Sequence, residues 1–153
     1  MPKTEIASLD ALRNRVGEEL AVSDWLEITQ ERINQFAEAT GDHQWIHVDV
    51  ARAARESPFG GTIAHGYLTL SLLAKFSQDS IAINNIKMGV NYGLNRVRFT
   101  SPVRSGKKVR ARFKLAAYDE ISGGAQLTWS VTMEVEGSDK PACIAESISR
   151  WYV

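Results

Sequence analysis

The residues of this chain best suited to chemistry are crowded into two short blocks. The first is Thr40-Gly41-Asp42-His43-Gln44-Trp45-Ile46-His47, and the second runs from Phe59 through Gly60, Gly61, Thr62, Ile63, Ala64 and His65 to Gly66. All three histidines of the sequence, His43, His47 and His65, fall inside them. Asp42 is expected just past a helix C-terminus, where an irregular turn can aim its side chain inward. His47 follows the apolar pair Trp45-Ile46, so the carboxylate and the imidazole can converge on one point lined by greasy side chains. A carboxylate and an imidazole that share a water make a usable acid–base pair. Burial of the Asp42 carboxyl against Trp45 and Ile46 would bring that carboxyl closer to a working pH.

An acid–base pair working beside a thioester would need a third group, a donor for the carbonyl oxygen as enolate charge builds on it. Gly66 is placed to open a helix. A helix N-terminus offers unpaired N–H groups and the positive end of the dipole, and glycine allows close approach to the backbone. One such donor lowers a barrier by roughly 3 kcal/mol in oxyanion sites. The same residues also suit a plain Gly-Asp turn beside a structural histidine, and residue types alone leave both readings open.

The elements that would position these groups fall into two halves. The front half reads as helical. Ser8 can cap a short helix through Leu9, Leu12 and Val16, ended by Gly17. Thr29 can cap a second, with Glu31 in its first turn, Ile33, Phe36 and Ala37 on one face, and Gly41 as the stop. Asp49 is most simply the cap of a third, which Pro58 and Gly60-Gly61 interrupt. Gly66 to Phe76 is apolar nearly all round, as in a helix buried on most faces.

From Ile86 onward the period changes to two. Lys108, Arg110, Arg112 and Lys114 alternate with Val109, Ala111, Phe113 and Leu115, and Leu127 to Val135 alternates likewise. Ser105-Gly106 and Ser122-Gly123-Gly124 supply turns. With MGVNYGL, NRVRFT and CIAESISRWYV, about five strands result. The fold class is therefore α+β, an antiparallel sheet wrapped on one buried helix. No repeat or linker divides residues 1–153, and one domain is expected.

Bulk composition narrows the function classes. Lys plus Arg and Asp plus Glu both number 18, so no global field points to nucleic acid. No segment approaches the ~20 apolar residues that span a bilayer, and the first residues lack the apolar run of a signal peptide. A cytoplasmic location is the default expectation. The single cysteine, Cys143, lies beside Ala142 and Ile144 and reads as a buried small hydrophobe.

Phe36-x-x-x-Thr40-Gly41-Asp42-x-x-x-x-His47-x-x-x-x-x-Ala53 resembles the signature of the MaoC-like, R-specific enoyl-CoA hydratases. Phe59 through Gly66, ending in Ala64-His65-Gly66, looks like that family's second block, and Arg98-Phe99-x-x-Pro102-Val103 like its strand and turn. GDHQWIHVD and NYGLNRVRF are most similar to the NodN-like branch, and the likeness covers almost the full length. The resemblance implies a hot-dog fold, with the strands wrapping Gly66–Phe76, and a homodimer. It also implies Asp42 and His47 as the catalytic pair and the Gly66 N–H as oxyanion donor. The reaction would be reversible syn addition of water to a trans-2-enoyl-CoA, giving an R-3-hydroxyacyl-CoA without metal or redox cofactor. Gln44-Trp45 stands where the family usually has Asn-Pro, which changes the shape expected of the acyl pocket.

Trp45, Ile46, Ala64, His65 and Asn91 are the further candidates for contact with an acyl-CoA substrate. His65 also suits a loop-fixing role, and His43 has no clear partner. Asn91, Tyr92 and Asn95 are unusually polar for a strand and fit either the pocket or a dimer seam. The Lys108–Lys114 stripe reads as a solvated strand face paired with Glu134 or Glu136; CoA phosphates are the competing partner, for which Arg104, Lys107 and Lys108 are the better placed. Two other functions use the same pocket. A thioesterase would aim the water at the carbonyl carbon, and a non-catalytic acyl-thioester-binding module would not need both Asp42 and His47.

Overall fold

The computed structural model describes residues 2–153. Its largest feature is a six-stranded sheet built from β2 (Glu19–Val22), β3 (Leu26–Glu27), β5 (Met88–Arg98), β6 (Lys108–Ile121), β7 (Gly124–Val135) and β8 (Cys143–Tyr152). The order is β2-β6-β7-β8-β5, with β3 also on β6, and every pairing is antiparallel. The alternation in the sequence sets the register. Phe113 pairs with Val131, Val131 with Ala145, and Ala145 with Val97, so one row of apolar side chains crosses the sheet. Val109, Ala111, Phe113 and Leu115 are buried on that face, while Glu134 on the other face binds both Arg110 and Arg112. The basic stripe is thus a solvated face with its own counter-ions.

The buried face rests on α4 (Gly66–Ser80). Leu68, Leu72 and Phe76 recur at helical spacing and are buried against the sheet. The helix is less enclosed than its composition suggests, because Tyr67 is 70% exposed and Ser71 and Lys75 also face outward. This antiparallel sheet wrapped on one long helix is the hot-dog arrangement.

Two features of the front half differ from expectation. It contains strands: β1 (Thr4–Ile6) pairs parallel with β4 (Ile81–Ile83), and β2 and β3 join the main sheet. These runs are too short for a period to show, and their pairing partners lie far along the chain. The first expected helix is only a 3-10 turn over Asp10–Asn14, with Ser8 Oγ accepting from Ala11 N–H. Conversely, MGVNYGL and the NRVR of NRVRFT form one strand, β5, whose register shifts twice against β8, and Phe99 and Thr100 lie beyond its end.

Candidate active site

The site is assembled where α1 (Gln30–Thr40), α2 (Trp45–Val48) and the loop before α4 meet. Local chemistry fixes each piece. Thr29 Oγ1 caps α1 by accepting from Arg32 N–H, and Gly41 ends it at φ 81°, in the left-handed region glycine favours. Asp42 follows immediately, and its Oδ1 accepts from Gln44 N–H at 3.3 Å. The turn then enters α2, which carries His47, and Asp49 caps α3 (Val50–Glu56) through Arg52 N–H.

His47 is buried, and its Nδ1 lies 2.7 Å from the carbonyl oxygen of Ile63. A carbonyl can only accept, so Nδ1 carries the proton and Nε2 keeps a free lone pair. Burial holds the imidazole below its ordinary value, and the neighbouring His65 acts in the same direction; the Ile63 carbonyl and Asp42 act in the opposite direction. A neutral imidazole with Nε2 free is the form a general base needs.

His65 completes the cluster. It is 2% exposed, its ring stacks on His47 with centroids 3.9 Å apart, and Phe36 covers it at 4.9 Å. Its Nε2 lies 3.0 Å from the carbonyl oxygen of Asp42 and so donates to it. The remaining Nδ1 is buried without a partner, a loss of about 1–3 kcal/mol for such a group. One carboxylate oxygen of Asp42 and one ring nitrogen each of His47 and His65 lie within 4.8 Å of one another. A water bridging two such groups by ordinary hydrogen bonds spans about 4.6 Å. The same trio has the ligand types for a cation. However, the two rings are only 23° from parallel, and a single ion cannot sit in the planes of two stacked imidazoles at once. The arrangement suits a shared water and its protons.

Beside this cluster α4 begins. Leu68 and Thr69 N–H both donate to the His65 carbonyl, and no backbone acceptor among the described residues takes the Gly66 N–H. Glycine is needed here because the Phe99 ring lies directly on it: a Cβ would stand 2.8 Å from Phe99 Cδ2. Gly66, Ala64, Ile63, Phe59 and Phe99 line an open cleft of about 330 Å³.

The structure brings Asp42, His47 and His65 to one place, with Gly66 next to His65 in the chain, and distributes the other candidates around them. Asp42 is exposed, so burial falls on His47 and not on the carboxylate, contrary to expectation; the short α2 turns Ile46 and His47 inward and leaves Asp42 at the mouth. Trp45 is half-buried and stacks under the Arg52 guanidinium at 4.2 Å. The Ile46 carbonyl accepts from Ile63 N–H, tying the two blocks together. Asn91 is exposed and lines a second groove, of about 210 Å³, with Leu70, Leu73, Ala74 and Leu94. His43 lies outside, 3.5 Å from Glu38. Sequence reasoning missed Gln30, whose Nε2 donates to the His47 carbonyl at 2.7 Å while its Oε1 accepts from Thr62. No local signal marks it, since a polar residue in a first helical turn is ordinary. Phe99 was visible only as part of a motif.

This is a hot-dog domain with a carboxylate and a neutral imidazole beside the residue that precedes its central helix. The chain belongs to the MaoC-like family: the MaoC like domain matches residues 11–136. It is 52% identical over 145 residues to 3-hydroxyacyl-thioester dehydratase Z of Mycobacterium tuberculosis (strain ATCC 25618 / H37Rv), covering 94% of this chain and 95% of that one. Nodulation protein N of Rhizobium leguminosarum bv. viciae is 49% identical over 145 residues, covering 93% and 89%, which places the chain in the NodN-like branch. Among solved structures, the (R)-hydratase from A. caviae involved in PHA biosynthesis superposes with a TM-score of 0.72 at 22% identity, covering 88% of this chain and 94% of that one.

Proposed function

We propose that this protein hydrates trans-2-enoyl-CoA thioesters reversibly to R-3-hydroxyacyl-CoA, residues 1–153 acting as one hot-dog unit. The observation that supports the reading is the fixed tautomer of His47, whose ring has a nitrogen within 4.8 Å of an Asp42 carboxylate oxygen and whose stacking partner, His65, directly precedes α4. The pair holds a water between them. His47 Nε2 takes its proton as the oxygen bonds to C3, and the C2–C3 electron pair moves toward the thioester oxygen. The Gly66 N–H and the positive end of α4 stabilise that oxygen. When the enolate collapses, C2 takes a proton from the same pair on the same face, which makes the addition syn. The R hand and the CoA thioester follow the likeness to the hydratase signature, and the relative named as a 3-hydroxyacyl-thioester dehydratase supports the thioester class. Nothing in these steps calls for a metal or redox cofactor.

Trp45, Ile46, Ala64, His65 and Asn91 would surround the substrate. Ala64 sits in the cleft beside Gly66, and Asn91 in the groove along α4. A homodimer belongs to the same reading. Strand β5 pairs with β8 on one edge only and exposes Met88, Val90, Tyr92 and Leu94; an apolar open edge favours association. No helix of the described residues is long and apolar enough to cross a membrane, which agrees with a cytoplasmic enzyme.

Incubation with crotonyl-CoA tests the reading directly. Loss of enoyl absorbance without free thiol is expected. Release of thiol would make the protein a thioesterase, and binding without either change would make it an acyl-thioester-binding module. Light scattering at micromolar concentration should give twice the 17.0 kDa chain mass, and a stable monomer would refute the dimer.

A further inference from the structure

We propose that His65 is a positioning residue that locks the two groups of the catalytic pair to one another, by stacking on the His47 ring and donating from Nε2 to the carbonyl of Asp42. The inference rests on the hydratase reading for its catalytic meaning, but its geometry stands independently. His65 touches both members of the pair through different parts of its ring: the face meets His47 at 3.9 Å, and the edge meets Asp42 O at 3.0 Å. Phe36, on α1, covers the ring from 4.9 Å and so restrains it. His65 is also the residue before α4, so the same side chain ties the turn after α1 and the base on α2 to the oxyanion end of the helix.

Burying the Nδ1 acceptor without a partner is unfavourable. A loop that needed only a filler would be better served by an apolar ring, and one that needed only a donor by a side chain without the spare lone pair. Histidine is the smallest side chain that supplies a flat ring face and an edge N–H at once. The face keeps water off the His47 ring, and removal of that cover favours the protonated imidazole. The titratable groups that act on His47 are Asp42, from the turn after α1, and His65 itself; its remaining polar influence is the Ile63 carbonyl.

Two substitutions separate the face from the edge. His65→Gln retains an N–H near the position of Nε2 and loses the stacked ring. His65→Phe retains the ring and loses the donor. Imidazole NMR titration of His47 should move upward by roughly half a pH unit or more in His65→Gln, and the acidic limb of kcat/KM should move with it. In His65→Phe that titration should stay nearer the wild type, while kcat on the high-pH plateau falls more than in His65→Gln. A merely structural histidine would lower stability and plateau rate alike in both variants and leave the His47 titration unmoved, and that result would overturn the proposal. Should either variant fail to fold, wild-type imidazole nitrogen shifts still decide the matter. His47 must be protonated on Nδ1 and His65 on Nε2; the opposite tautomer in either ring refutes the geometry. The NMR arm needs no turnover, so NMR agreement with an inert protein would defeat the hydratase reading and leave the positioning role standing.

Discussion

Replacing Gly66 with alanine should separate the stability of the fold from the function of its central helix. The added Cβ would stand 2.8, 2.9 and 3.0 Å from Cδ2, Cε2 and Cγ of Phe99. Carbon atoms rest at about 3.5–4.0 Å, so the ring must retreat by roughly 0.7 Å. Phe99 is 46% exposed and has room to swing outward, at about 0.5–1.5 kcal/mol for leaving its rotamer. Gly66 is the first residue of α4, so alanine's advantage over glycine, which applies in a helix interior, offsets only part of this. Stability should therefore fall by no more than ~1.5 kcal/mol, the upper rotamer cost. Activity should not be spared, because the methyl and the displaced ring would crowd the N–H that the proposed mechanism aims at the thioester oxygen. Losing an oxyanion donor costs about 10²–10³ in turnover, and Gly66→Ala should approach the lower figure. Urea melts paired with crotonyl-CoA hydration give both quantities. Unchanged turnover at unchanged stability would remove the Gly66 N–H from the mechanism. A large loss of stability would show that Phe99 cannot yield.

Three further outcomes follow from the same geometry. Asp42→Asn and His47→Gln should each lower crotonyl-CoA turnover at least ~100-fold with the fold intact, and the double variant should be barely worse than either; full activity in one variant removes that residue. Because burial lowers the His47 value in the folded protein, the imidazole binds its proton more readily when unfolded. Its contribution to stability is complete above the unfolded value of about 6.5 and is lost as pH falls through the folded value; urea titrations in which wild type and His47→Gln share one pH dependence would refute this. Trp45→Ala should raise the relative kcat/KM for longer chains if the indole limits the acyl pocket. Comparing four-, eight- and twelve-carbon enoyl-CoAs checks it, and an unchanged ranking would mean that the ring serves Arg52 alone.

The pieces of the site that sequence revealed are those whose cause is local. Thr29, Gly41 and Asp49 signal caps and stops through their own side chains or backbone freedom, and each does so in the structure. The β6 and β7 alternation sets which face is buried, and their pairing follows. What escaped is held by contacts between distant segments. β2 is a strand because β6 is beside it, with Ala21 opposite Phe113, and no four-residue run announces that. Asp42 was expected to be buried against Trp45 and Ile46. Yet a short helix directs neighbouring side chains to different sides, and α2 turns His47 inward while Asp42 stays outside it.

That division has a functional consequence. Asp42 and His47 can be recognised by type, but their shared water depends on where α2 lies against the loop before α4. Three bonds set this: Ile63 N–H to the Ile46 carbonyl, His47 Nδ1 to the Ile63 carbonyl, and Gln30 Nε2 to the His47 carbonyl. The first two lace the blocks in opposite directions, so neither can slide past the other without breaking both. Gln30 adds the third strut from α1 and is itself fixed by Thr62. A reacting group misplaced by about 1 Å can lose ~100-fold in rate, so residues that never meet substrate still govern it. In the proposed mechanism the chemistry resides in an acid–base pair that spacing can suggest, and its precision in one backbone and two side-chain-to-backbone bonds that only the fold supplies.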